Sequence, residues 1–182
     1  SQQWEEQTVI GPPYLSKMEQ SSIGRLVKEL VVSYPLLEQK RYFIMSRLAG
    51  CIQGDLIDNP DPLMIFIMDR IINQVKAYTG IEFRDSIQFR KDLYAHLYPA
   101  FYRLLFDIPL NNPLKEQILK DFNSLFHLVR RSLSPLEKYL KKTISNDEIA
   151  YFTIHFGGYL EQIGTSNQSA KLTALTICPN GV

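Results

Sequence analysis

The stretch HLYPAFYR places His96 and Arg103 seven residues apart in a strongly helical region. In an α-helix, offsets of three, four and seven residues return to one face, so both side chains share a stripe with Asp92. A carboxylate at Asp92 can accept one imidazole N–H and leave the other nitrogen as a nucleophile. Arg103 can steady a phosphate on that nitrogen through paired charged hydrogen bonds. The stripe is therefore a candidate phosphoacceptor site; the alternative is a structural histidine with Arg103 on a solvated face.

A second histidine, His155, lies in an equally apolar stretch, with Glu148 seven residues earlier on the same helical face. Gly157 and Gly158 follow it directly, and each glycine inside a helix costs about 1 kcal/mol relative to alanine. Such glycines indicate the close approach of another backbone or helix. Spacing alone also fits a core histidine at position 155. The third histidine, His127, has no acidic neighbour on its stripe and is interpreted as structural.

Other kinds of site have little support in the residue spacing. No two histidines are four residues apart, as helical zinc ligands would be, and no local pattern suggests a nucleophile with its base. We therefore predict no enzyme activity, no metal and no cofactor. The basic residues between Arg130 and Lys142 indicate either a solvated helix face or a docking surface for an acidic partner. Cys178 follows a short apolar run and precedes Pro-Asn-Gly, a loop that can lower a thiol pKa; the alternative is a cysteine in an unstructured tail.

The hydrophobic pattern predicts the helices that must position these side chains. Apolar residues recur at helical spacing over residues 62–79, 85–105, 113–133 and 145–163, and a short basic segment precedes the last of them. Asp61 and Gly80 are cap residues at the two ends of the first helix. Pro99 removes one hydrogen bond from the second helix. Ser145 and Glu148 have the spacing of a capping box at the start of the last helix.

Three regions are predicted along the chain. Residues 1–57 form a helical lead-in or the remnant of a preceding domain, interrupted at Tyr34-Pro35. Residues 58–165 form the all-α body, and residues 166–182 are a linker followed by a short strand-like run. The net charge of +1 offers no overall field for nucleic acid, and no apolar run has the length of a membrane span. Two cysteines without a disulfide pattern favour a cytoplasmic protein.

Residues 62–163 resemble a phosphotransferase-system regulation domain, of the kind found in bacterial antiterminators and transcriptional activators of the BglG, MtlR and Mga type. The resemblance rests on HLYPAFYR, on IPLNNPL from Ile108 to Leu114, and on NDEIAYFTIHF from Asn146 to Phe156. The tail KLTALTICPNG resembles the start of an enzyme-IIB-like domain, an order that suggests the second such regulation domain of an activator.

The resemblance implies a five-helix bundle that forms a homodimer and regulates sugar-utilisation genes. It implies phosphorylation of His96 and His155 by the phosphocarrier HPr or by sugar-specific enzyme II components, and a phosphocysteine at Cys178. DNA or RNA would be bound by domains outside this chain. The alternative is a helical dimerisation module whose histidines are structural.

Overall fold

The computed structural model describes residues 19–52, 54, 56–58, 60–83 and 87–166, with the backbone alone for 162–166. Every regular element in these ranges is helical, which confirms the predicted all-α class. The strand-like run and Cys178 lie outside the described residues. By internal contacts the chain divides into two units: an N-terminal unit from Ser1–Gln53 with Tyr98–Pro109, and a C-terminal unit from Gly54–Leu97 with Leu110–Val182.

The N-terminal unit contains helix α1 (Ser22–Ser33), a 3-10 helix (Pro35–Lys40) and helix α2 (Arg41–Ala49). The Ser21 hydroxyl caps α1 by accepting the Gly24 N–H at 3.2 Å. Helix α1 ends before Pro35, as predicted. The segment after Tyr34 starts as a 3-10 helix, and helix α2 ends at Ala49. Buried apolar side chains of α1 and α2 form the core of this part: Ile23, Val27, Met45 and Ala49.

Helices α3 (Pro62–Thr79) and α4 (Ile87–Leu105) open the body of the chain. The Asp61 carboxylate caps α3 by accepting the Leu63 N–H at 2.9 Å, and Gly80 ends it in the left-handed conformation, with φ of 68°. Both caps confirm the prediction. Helix α4 continues through Pro99, which has no N–H to offer the carbonyl of Ala95. The Gly54 N–H donates to that carbonyl instead, at 3.3 Å.

Four helices complete the described chain: α5 (Lys115–Asp121), α6 (Asn123–Ser132), α7 (Ser134–Leu140) and α8 (Asn146–Ser166). The prediction of one helix over 113–133 was wrong, because the helix is divided at Phe122, with φ of −125° and ψ of 36°. The side-chain amide of Asn123 donates to the Leu119 carbonyl at 3.3 Å. In a continuous helix that carbonyl would accept the backbone N–H of residue 123. The side chain thus competes with the helical bond at the break.

Helix α8 contributes much of the core of the C-terminal unit. Ile149, Ala150, Phe152 and Phe156 on this helix are all at most 1% exposed. The Ser145 hydroxyl caps its start by accepting the Glu148 N–H at 3.3 Å, as the capping signal predicted. Within the described part of the chain, none of the helices combines the length and the apolar character needed to cross a bilayer.

Candidate functional site: two histidines on facing helices

The imidazole of His96 on α4 packs against four residues of α8. Its ring centroid is 4.6 Å from Phe152, 4.8 Å from His155 and 5.7 Å from Tyr151. Its Nε2 atom is 3.8 Å from Oε2 of Glu148. The four α8 residues follow the pattern i, i+3, i+4, i+7, which is the hole that receives a knob in close helix packing. The His96 side chain therefore packs into this hole on α8 as a knob from α4.

An aromatic cluster fixes the direction of the two helices. Phe89 on α4 contacts Phe156 and Tyr159 on α8, with ring centroids 5.3 Å and 4.5 Å apart. Phe83, which precedes α4, contacts the same two rings at 6.1 Å and 5.1 Å. Earlier residues of α4 thus meet later residues of α8, so the helices are antiparallel. This arrangement sets the acidic residue of each helix near the histidine of the other.

The carboxylates and the histidines are paired crosswise. Glu148 on α8 faces His96 on α4, while the charge of Asp92 on α4 acts on His155 of α8. Asp92 also accepts a hydrogen bond from the side-chain amide of Gln88, at 2.8 Å. The sequence suggested partners within each helix, whereas the structure brings together all four groups from two helices. Each imidazole is therefore subject to the negative charge of a carboxylate on the other helix.

Burial sets the electrostatics of this four-residue cluster. The side chains of His96 and Glu148 are 14% and 3% exposed. Removing a carboxylate this far from water is costly unless it is paired, and a protonated imidazole 3.8 Å away would offset part of that cost. Burial also lowers the pKa of His155, an effect that the negative charge of Asp92 partly offsets. The neutral form of His155, which keeps a nucleophilic lone pair, is thus favoured in the folded protein.

Arg103 makes its described contacts away from the histidines. Its Nη1 donates to the backbone carbonyl of Gly50 at 2.8 Å, within the N-terminal unit. A Cβ atom at Gly50 would lie 2.9 Å from the Arg103 Cγ, so the glycine lets the arginine side chain pack closely on the end of α2. Within the described part of the chain, Arg103 thus makes a structural hydrogen bond to the Gly50 carbonyl.

The predicted site residues are thus only partly brought together. Asp92, His96, Glu148 and His155 form one cluster, Arg103 hydrogen bonds to Gly50, and Cys178 is outside the described residues. Sequence reasoning missed Tyr151 and Phe152, which form two sides of the hole around His96. Their offsets of four and three residues before His155 were a usable signal, because such offsets share one helix face. His127 is exposed on α6.

Comparison with known proteins identifies the family. The PRD domain family matches residues 69–159, half of the 182-residue chain, and this range includes both histidines and both carboxylates of the cluster. No solved structure gives a significant match.

Two curated relatives are similar to this chain. Transcriptional regulator ManR of Bacillus subtilis (strain 168) is 28% identical over 163 residues, which cover 88% of this chain and 25% of ManR. Stationary phase-inducible protein CsiE of Escherichia coli (strain K12) is 28% identical over 93 residues, which cover 51% of this chain and 22% of CsiE. The chain therefore spans about a quarter of the length of the curated relatives it matches.

Proposed function

The chain belongs to the PRD domain family, and from that premise we propose that it is the regulatory domain of a transcriptional regulator, controlled by phosphorylation of His96, His155 or both. The similarity to a relative named as a transcriptional regulator over most of this chain supports the first part. The crossed pairing of two imidazoles with two carboxylates on α4 and α8 supports the second. In this proposal the domain is not an enzyme. Nucleic acid is bound by other parts of the parent protein.

The cluster has the chemistry that a phosphoacceptor needs. A carboxylate that accepts one imidazole N–H fixes the tautomer and leaves the second nitrogen with its lone pair. The Glu148 carboxylate lies 3.8 Å from Nε2 of His96, beyond hydrogen-bond distance but close enough to attract a proton on that nitrogen, and the charge of Asp92 acts on His155. The lone pair attacks the phosphorus of a phosphorylated donor protein, such as HPr or a sugar-specific enzyme II component. The N–P bond forms as the donor's bond to phosphorus breaks, and the donor group leaves with the bonding electrons.

The phosphate then changes the balance of charge between the two helices. A phosphoryl group adds about −1.5 to −2 charges at neutral pH. The interaction of two unit charges 4 Å apart is about 1 kcal/mol in water and about 4 kcal/mol in partly buried surroundings. With Glu148 already 3.8 Å from Nε2, a phosphate on His96 repels the start of α8. We propose that this repulsion separates α8 from α4 and changes the packing of a homodimer.

The direct test is phosphotransfer to the purified domain. Wild type, His96→Ala, His155→Ala and the double variant are incubated with phosphoenolpyruvate, enzyme I and HPr, with and without a matched pair of enzyme IIA and enzyme IIB components. Intact mass is read at neutral pH, because phosphohistidine is labile in acid. We expect phosphate on the wild type, less on at least one single variant, and none on the double variant.

His127→Ala is the matched control, because His127 is an exposed histidine on α6. It should accept as much phosphate as the wild type. The mass of the native dimer is followed in the same samples, and it should change with phosphate occupancy. If no phosphate is found on the wild type with any of these donors, the proposal fails. The histidines would then be structural residues of a helical dimerisation module.

A further inference from the structure

The first turn of α8 is held by the loop that precedes α5. The backbone N–H of Asn112 donates to Oδ1 of Asp147 at 3.0 Å, and its side-chain amide donates to the Asp147 carbonyl at 3.4 Å. The Lys115 ammonium is 3.4 Å from the other carboxylate oxygen, Oδ2. Asp147 therefore receives bonds on both carboxylate oxygens and on its backbone carbonyl.

The loop side of this contact is itself well ordered by hydrogen bonds. Asn112 is 3% exposed, and its side-chain oxygen accepts the Leu114 N–H at 2.9 Å. Its backbone carbonyl accepts the Lys115 N–H at 3.1 Å. The hydrogen bond from the Asn112 N–H is the main cause that lowers the pKa of Asp147, so this carboxylate stays ionised at neutral pH. The loop thus presents a fixed set of donors to a charged acceptor.

Asp147 immediately precedes Glu148, the carboxylate that faces His96. Helix ends fray, and the first turn lacks the hydrogen bonds that hold the middle of a helix. Ser145 bonds the backbone N–H of Glu148 and so restrains the main chain. A shift or rotation of this turn would still move the Glu148 carboxylate away from the imidazole. The bonds to Asp147 resist such a shift.

We propose that Asp147 is a positioning residue for the histidine site: held by Asn112 and Lys115, it fixes the first turn of α8 so that the Glu148 carboxylate faces Nε2 of His96. Any effect of Asp147 on phosphorylation rests on the proposed function. The role itself is a property of the unphosphorylated protein. It can therefore be tested without any phosphate donor.

The experiment uses the Nε2 nitrogen of His96 as the probe. The 15N chemical shift of this atom is measured by NMR at pH 7 in protein labelled at histidine. Glu148→Gln provides the reference for an imidazole that has lost its carboxylate. We expect Asp147→Ala to give most of the shift change seen in Glu148→Gln. Asp147→Asn keeps an acceptor for the Asn112 N–H and should give a smaller change.

Asp69→Ala is the matched control. Asp69 forms an ion pair with Arg90 of α4, at 2.6 Å, and so restrains the helix that carries His96 without touching the start of α8. It should leave the His96 shift at the wild-type value, whatever it does to stability. If Asp147→Ala does not fold, Asn112→Ala and Lys115→Met take its place, and each should move the shift toward the Glu148→Gln value. The proposal is overturned if these folded variants leave the His96 shift unchanged.

Failure of this test is distinct from failure of phosphotransfer. An unchanged Nε2 shift removes the positioning role and leaves both histidines as candidate phosphoacceptors. A shift that moves as expected upholds the positioning role even where no donor phosphorylates the domain.

Discussion

The two ends of HLYPAFYR lie on one helix and make different kinds of contact. At residues 87–97 of α4, in the C-terminal unit, the His96 imidazole packs among ionisable and aromatic side chains of α8. At residues 98–105, in the N-terminal unit, the Arg103 guanidinium bonds a backbone carbonyl at Gly50. Protonation, or the phosphorylation proposed above, would change the charge at the first end. Arginine stays charged at any physiological pH, so the second end suits a constant structural bond.

Two residues on the same face of a helix therefore need not have the same function. The His96 end depends on the charge and shape of α8, while the Arg103 end depends on the space left by a missing side chain. Variants at each end should therefore differ in what they disturb.

The largest change in stability is expected from removing the packing around His96. Phe152 is fully buried and contacts the imidazole edge to face at 4.6 Å. Phe152→Ala should lower the free energy of unfolding by about 3–5 kcal/mol, because it removes buried area and leaves a cavity. Phe122→Ala is the control, since Phe122 is 48% exposed and its loss should cost about 0.5 kcal/mol or less. Urea titration measures both, and equal effects would contradict the packing described at His96.

The next effect tests the Arg103 end. Arg103→Met removes the charged donor to the buried Gly50 carbonyl and should cost about 2 kcal/mol of unfolding free energy. Phosphate occupancy at His96 and His155, measured by mass in the folded protein, should stay at the wild-type level. Arg25→Met, at an exposed position on α1, is the control for loss of one surface charge. A phosphorylation defect in Arg103→Met at unchanged stability would assign Arg103 to the phosphate after all.

A smaller change in stability is expected from substituting the glycine that contacts Arg103. Gly50→Ala places a Cβ 2.9 Å from the Arg103 Cγ and 3.3 Å from the Ile108 Cδ1, so the side chains must shift, at about 1 kcal/mol. Gly158→Ala on α8 has nothing within 4 Å of its new Cβ and should stabilise the helix by about 1 kcal/mol.

Thermal unfolding of the two glycine variants should thus give shifts of opposite sign. The double variant Gly50→Ala with Arg103→Ala should cost less than the sum of its parts, because Arg103→Ala removes the Cγ that the new Cβ at position 50 would meet. Strict additivity would mean that the glycine is required for another reason.

The smallest expected effect is the dependence of folding stability on pH through His155, which contacts His96. The folded pKa of His155 is lowered by burial below the unfolded value of about 6.5. The folded state therefore favours neutral His155, and stability is fully present above about pH 6.5. It is lost as the pH falls below 6.5 and through the lower folded pKa. His155→Gln should flatten this part of the stability curve, measured by urea titration between pH 7.5 and 5 at intervals of about half a unit.

His127→Gln, at an exposed site, should leave the slope of that curve unchanged. A wild-type slope that survives in His155→Gln would place the titrating group elsewhere.

Much of the fold could be predicted from local signals. Asp61 and Gly80 at the ends of α3, and Ser145 at the start of α8, act as their residue types predicted, because capping involves atoms only a few residues apart. The prediction of one continuous helix failed at Phe122, where the apolar spacing continues but the helix is interrupted. There a side-chain hydrogen bond from Asn123 competes with the helical bond. Periodicity alone does not reveal such competition.

Most of the helices, and the spacing of acids and histidines along them, follow from the sequence alone, because helical periodicity is a short-range property. Three pairings depend on how the helices pack: Glu148 faces His96, the charge of Asp92 acts on His155, and Arg103 donates a hydrogen bond to Gly50. These partners are far apart in the chain. Their meeting depends on the antiparallel packing of α4 against α8 and on the space left beside Gly50, which follow from the fit of many side chains at once.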